Sequence, residues 1–205
     1  MRAVVKTWHL LSHDALAIDR LVRGLSIPPI VAQLLLNRDQ RDLDAADRFL
    51  KAPLSGLYEP ERLPGMADAV QRLLAAIEQK KRICVYGDYD VDGVSGTAIL
   101  LTALQHLGAD VDFHVPHRLE DGYGLNNEAL AKIAESGTSV VVTVDCGIAS
   151  IAEADEARRL GLELIVTDHH EPKDTLPNAD VLVHPRLPGD YPWGGLCGAG
   201  VAFKL

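Results

Sequence analysis

Three short runs of this 205-residue sequence carry groups that could do chemistry together: Gly87-Asp88-Tyr89-Asp90-Val91-Asp92-Gly93, Asp145-Cys146-Gly147 and Asp168-His169-His170. They hold five aspartates and two histidines. Gathered in one place, such groups would repel or neutralise one another unless cations were bound among them. An oxygen-rich set with one or two imidazoles suits Mn²⁺ or Mg²⁺ better than zinc, which stays open. Two ions are the natural count. A single carboxylate can bridge metals about 3.5–4 Å apart, and such a pair activates a water and stabilises the leaving oxygen of an in-line phosphoryl displacement.

Whether the runs meet depends on the elements that carry them. After residue 80 the chain alternates short β-branched runs with helical segments: strands are expected at Arg82–Tyr86, Val111–Val115, Val140–Val144, Leu162–Val166 and Val181–His184, and helices near 94–107, 127–136 and 150–160. This pattern predicts an α/β fold, a doubly wound five-stranded parallel sheet. The near-continuous apolar run Ser139-Val140-Val141-Val142-Thr143-Val144 fits a strand buried on both faces. Each acidic run then falls at the carboxyl end of a strand. With the order 2-1-3-4-5, those ends line the crevice between strands one and three.

The first part of the chain reads differently. Apolar residues from Asp14 to about Leu50 recur at helical spacing, interrupted at Pro28-Pro29, and predict a small helical segment. The Pro/Gly-rich stretch 51–65 is a connector, followed by an amphipathic helix over Met66–Gln79. The expected boundary therefore separates a helical lead and connector (1–79) from the catalytic domain (80–205).

Charge is divided the same way: residues 1–80 carry 11 Lys+Arg against 10 Asp+Glu, and residues 81–205 carry 9 against 19. The net −9 argues at first against a nucleic-acid partner, but two divalent ions would reverse the field that a phosphate meets. The three cysteines, Cys84, Cys146 and Cys197, form no CxxC pair and read as small buried residues. No run approaches the roughly 18 uninterrupted apolar residues of a membrane span, and the N-terminus has no secretory pattern, so a cytoplasmic location is expected.

Each run has a simpler reading. Asp88-x-Asp90-x-Asp92-Gly93 opens like an EF-hand loop, but Ile99 occupies the twelfth position, where a bidentate Glu is required, and a buried strand precedes it. Asp90-Val91-Asp92-Gly93 also resembles the nucleophile motif of haloacid-dehalogenase-type phosphatases, which gives Asp168-His169-His170 no role. Asp145 alone could cap a helix, and the two histidines alone could be polar loop residues. Separate simple explanations for three clusters at equivalent strand ends are harder to sustain than one shared site.

Taken together, GDYDVDG (87–93), TVDCGI (143–148) and TDHH (167–170) resemble the first three motifs of the DHH phosphoesterases. HRLEDGYGL (117–125), LLLNRDQRDLDAADRFLKAPL (34–54) and YPWGGLCGAGVAFKL (191–205) resemble segments of the RecJ branch of that family, whose members are single-stranded-DNA exonucleases. The resemblance implies Asp90 and Asp92 as ligands of separate metals, Asp145 as the bridging ligand, His169 as a ligand beside Asp92, and Asp88 completing or supporting the first metal. Many DHH members have a histidine where this chain has Tyr86. The resemblance also implies that Asp168 orients the imidazoles and that His170 faces the scissile phosphate. For substrate contacts, Arg118 could clamp phosphate, Tyr123 could stack a base, and Ser95 lies in a segment expected to open a helix toward a phosphate.

The family pattern continues into a fourth aspartate motif, a second domain and an oligonucleotide-binding domain, none of which appears before Leu205. The expectation is therefore an N-terminal fragment of a metal-dependent 5′-to-3′ exonuclease of DNA repair and recombination. Such a fragment would hold metal weakly at one site and turn over poorly. Single-stranded DNA is the expected partner, with a single-strand-binding protein or helicase engaged through the missing parts. The competing readings are a DHH enzyme for small phosphoesters (nanoRNA, a cyclic dinucleotide or a bisphosphate) and a non-catalytic DHH scaffold in a replication complex.

Overall fold

The computed structural model describes residues 7, 9–117 and 124–205, which divide into two compact units at Leu57/Tyr58. The first unit contains α1 (Ala15–Leu25), α2 (Pro29–Leu36) and α3 (Leu43–Lys51). Asp14 and Asp42 cap α1 and α3 by accepting from the N–H groups of Ala17 and Ala45. Pro29 starts α2, where its missing N–H costs nothing. Ile18, Leu21, Ala32, Leu35, Leu36 and Ala46 form the unit's own small core.

In the second unit, α4 (Met66–Glu78) leads into β1 (Arg82–Tyr86), α5 (Val91–His106), β2 (Val111–His114), α6 (Asn127–Glu135), β3 (Thr138–Thr143), α7 (Ile151–Arg159), β4 (Glu163–Thr167), β5 (Val181–Val183) and α8 (Gly198–Lys204). All strand pairs are parallel and the order is β2-β1-β3-β4-β5, as the alternating pattern predicts. The central strands β1, β3 and β4 are buried on both faces, whereas the edge strand β2 leaves Asp112 and Phe113 exposed. Ile83, Val85, Val140, Val142 and Ile165 pack with α4, α5 and α8, while Cys84, Tyr86, Val141, Leu164 and Val166 pack with α6 and α7. Right-handed crossovers explain this division: β1 to β2 and β2 to β3 run in opposite directions along the sheet, so α5 and α6 fall on opposite faces. That reversal opens a crevice at the carboxyl ends of β1 and β3.

Three details depart from expectation. Cys84 and Cys146 are buried but Cys197 is exposed, because its thiol is needed at the start of α8, where it accepts from the Gly200 N–H at 3.3 Å. α5 begins at Val91, three residues earlier than expected, since Asp90 supplies its cap. Ser95 therefore lies exposed in the second turn of α5, not at its N-terminus. Among the described residues no helix is long and apolar enough to cross a membrane.

Candidate metal centre

The backbone at the end of β3 aims its acid inward. Asp145 is a non-glycine residue at positive φ (64°), followed by Gly147 at 111°, so the chain turns sharply as it leaves the strand. Two buried threonines hold that turn against its neighbour: Thr143 Oγ1 donates to the Cys146 carbonyl (2.7 Å) and accepts from the Thr167 N–H (3.1 Å), and Thr167 Oγ1 donates to the Thr143 carbonyl (2.7 Å). Asp145 and Asp168 are thereby set side by side. From the other side the backbone of Gly198 presses on Asp145, since a Cβ there would lie 2.4 Å from Oδ1.

The aspartates differ in what satisfies them. Asp168 is buried but saturated: Oδ2 accepts from Ile148 N–H (2.9 Å), and Oδ1 from the N–H groups of His169 (2.7 Å) and His170 (3.1 Å) and from His170 Nδ1 (2.7 Å). Asp90 caps α5 through Oδ1, which accepts from the N–H groups of Asp92 (2.8 Å) and Gly93 (3.0 Å). Asp92, in the first turn of α5, reaches across to α8 and accepts from Gly198 and Ala199 N–H, both at 2.7 Å. By contrast both oxygens of Asp88, and Oδ1 of Asp145, are buried without a hydrogen-bond partner.

Titration follows this division. Burial is the largest influence on the Asp88 carboxyl and raises it above its ordinary range. Burial, reinforced by the charges of Asp92 and Asp90, pushes Asp145 up to about 7. Burial acts on Asp92 too, but the N–H groups of Ala199 and Gly198 and the Cys197 thiol outweigh it and hold that carboxyl low. Burial disfavours the His170 imidazolium, yet its hydrogen bond to Asp168 prevails and raises it.

Donor atoms converge in two groups, Asp88/Asp90/Asp145 and Asp145/His169/His170, within each of which one atom per residue lies within 4.8 Å of the others. His169 Nε2 stands 3.1 Å from Asp145 Oδ1, though not in hydrogen-bonding geometry, and 3.5 Å from Asp92 Oδ2. His170 Nδ1 must carry a proton to bind the Asp168 carboxylate, which removes that nitrogen as a ligand. The orphaned oxygens of Asp88 and Asp145 are what a divalent cation would satisfy, so this donor set fits metal.

The structure thus gathers Asp88, Asp90, Asp92, Asp145, Asp168, His169 and His170 from three strand ends. Ser95 stands exposed on α5, and Arg118 and Tyr123 lie outside the described residues. Tyr86 faces the α6 side, where its hydroxyl donates to the Gly124 carbonyl (3.1 Å) and accepts from Asn126 (3.2 Å). Sequence reasoning missed Thr143 and Thr167, whose signal is a hydroxyl residue just before an acid at a strand end. It also missed His184, fully buried after β5. His184 Nδ1 accepts from Arg186 N–H (3.1 Å), so Nε2 carries the hydrogen and donates to the His170 carbonyl at 2.8 Å.

Known proteins resemble this chain in sequence and in fold. The chain is 44% identical over its whole length to the single-stranded-DNA-specific exonuclease RecJ of Bacillus subtilis (strain 168), of which it spans 26%. A crystal structure of exonuclease RecJ bound to manganese superposes with TM-score 0.67 at 46% identity over 72% of this chain and 38% of the other. RecJ from Thermus thermophilus in complex with Mn²⁺ superposes with TM-score 0.70 at 36% identity, over 95% of this chain and 27% of the other. The chain thus spans about a quarter to two fifths of these relatives. Residues 82–205, which include every acid of the crevice, match the model of the DHH family, N-terminal domain; the chain belongs to the DHH family.

Proposed function

We propose that this chain carries the catalytic half of a two-metal phosphodiesterase that degrades single-stranded DNA from the 5′ end in repair and recombination. The observation that carries the reading is that Asp145 belongs to both donor groups, the position a bridging ligand must occupy. Asp88 and Asp90 would complete one Mn²⁺ or Mg²⁺ site with Asp145, and His169 the other, with Asp92 beside it. When bound, the two ions would supply the Lewis acidity that readies the attacking water and stabilises the leaving oxygen.

The chain's own residues do the rest. Asp168 anchors both histidines through their backbone N–H groups and fixes the ring of His170, which is left to donate a proton or charge at the phosphate. Asp92 ties the start of α8 to the crevice. Single-stranded DNA as substrate is supported by the RecJ relatives, and a single-strand-binding protein or helicase would be engaged by parts of the protein beyond this span. The setting is cytoplasmic. The test is cleavage of 5′-labelled single-stranded DNA, with and without Mn²⁺, by the protein extended to the length of its relatives. Wild type should shorten the strand from its 5′ end only with metal; equal activity in Asp145→Ala would overturn the reading.

A further inference from the structure

The segment between β5 and α8 is tied to the crevice at three points. His184 donates to the His170 carbonyl, Arg186 Nη1 meets Glu171 Oε2 at 2.6 Å, and the N–H groups of Gly198 and Ala199 are held by Asp92. Arg186 Nε also donates to the Gly194 carbonyl (3.1 Å), which closes the loop on itself. Two aromatic residues sit within it and are treated differently. Tyr191 packs against the core of the sheet and meets Tyr58 edge-on, with ring centroids 5.9 Å apart. Trp193 remains 57% exposed.

A single exposed apolar residue is ordinary, so exposure alone carries nothing. The covering of the indole is more informative. A Cβ at Gly195 would lie 3.0, 3.0 and 3.1 Å from Cε2, Cζ2 and Nε1 of Trp193. Nε1, Cε2 and Cζ2 are consecutive atoms of the indole rim, so Gly195 abuts that rim, off the ring plane, and does not lie over the rings. The indole is thus steadied at one edge while the residue stays more than half exposed. The Cα atoms of Trp193 and Gly198, whose backbone touches Asp145, are five residues apart and so at most about 18 Å from each other. An exposed indole, steadied at its rim by a braced loop beside a phosphodiester site, suits a base of the strand whose phosphate occupies that site, and stacking accepts any base.

We propose that Trp193 is a stacking platform for a base of single-stranded DNA, with Arg186 as the positioning residue that holds its loop. This rests on the reading of the crevice as a nuclease centre.

The test is equilibrium binding to the 205-residue chain, with Ca²⁺ in place of Mn²⁺ to limit turnover, of oligothymidylate and of an abasic strand of equal length. Trp193→Ala should weaken oligothymidylate by about 5- to 150-fold, leave the abasic strand unchanged, and be largely rescued by Trp193→Phe. Trp8 and Trp193 are the two tryptophans, so in a Trp8→Phe background the emission should be quenched by oligothymidylate and not by the abasic strand. Equal binding of oligothymidylate by wild type and Trp193→Ala overturns the proposal. So does equal loss of both strands, which would mark a loop that has merely come apart. A wild type that holds Mn²⁺ but binds neither strand sinks the platform and spares the metal centre; one that does not hold Mn²⁺ sinks both.

Discussion

The two edges of the sheet treat their acids in opposite ways. At the amino edge, Glu163 holds Arg72 at 2.7 Å and Lys81 at 3.9 Å, Asp112 lies 3.4 Å from Arg82, and Asp180 accepts from Leu164 N–H at 2.8 Å. At the carboxyl edge the acids meet imidazoles, backbone amides or nothing, and three carboxylate oxygens of Asp88 and Asp145 are buried unpartnered. Acid content is thus a poor guide to function in this chain. What separates the edges is whether the fold supplies the counter-charge itself.

The sharpest test removes the charge without the shape. Asp145→Asn should lower Mn²⁺ affinity by more than about 100-fold, beyond the loss that attends residues merely supporting a ligand. The same change should raise the melting temperature of the metal-free protein, because it removes a buried charge opposed by its neighbours. Calorimetric titration and thermal unfolding in EDTA read the two effects. Affinity and stability falling together would place Asp145 with the satisfied acids and break the comparison.

Asp168 should behave in the reverse sense. Asp168→Ala strips the acceptor from the buried Ile148 N–H, from the part-buried N–H groups of His169 and His170 and from one imidazole, and should cost about 3 kcal/mol by denaturant unfolding. Its effect on Mn²⁺ is indirect, through the histidines, and should stay within about 10- to 100-fold. A stable variant would show that the hydrogen bonds around Asp168 are not what holds the β4 end.

Acidity gives a third, smaller effect. Asp145 binds its proton more tightly in the folded chain, so between its ordinary 3.8 and about 7 the unfolded state holds fewer protons. Metal-free stability should therefore fall as pH rises through that window, and His170, also raised, adds to the fall as it loses its proton. Mn²⁺ must displace the Asp145 proton, so its affinity should drop about 10-fold per pH unit below about 7. Unfolding scans at several pH values, with EDTA and with saturating Mn²⁺, should show the slope vanish or reverse when metal is present.

Much of this was legible in the sequence, because periodicity and punctuation are strong. β1 begins and ends where its apolar run does, and Asp90, Asp145 and Asp168 follow closely on their strands. What stayed hidden was the side-chain accounting. Asp92 and Asp168 look alike in sequence to Asp88, yet their oxygens are filled by amides of Gly198, Ala199 and Ile148, contributed by segments distant in the chain. His184 reads as the end of a strand, since a histidine in an apolar run gives no sign that it will brace His170 from the next strand. The start of α5 is hard to read because Asp90-Val91-Asp92-Gly93 is rich in turn formers, and the capping by Asp90 that makes it helical is a geometric fact.

The smallest expected effect lies at the other edge and controls for the rest. Glu163→Gln removes one charge from a partly exposed pair with Arg72, which raises the Arg72 guanidinium through their hydrogen bond. Such a pair contributes about 0.2–1 kcal/mol, and salt screens it. The variant should unfold within that margin of wild type and bind Mn²⁺ unchanged, because the charge it loses lies at the amino end of β4 and the histidines at the carboxyl end. A loss of Mn²⁺ affinity in Glu163→Gln would mean that the centre responds to the summed charge of the domain. Unchanged affinity would confine the response to the few carboxylates the fold leaves unpartnered.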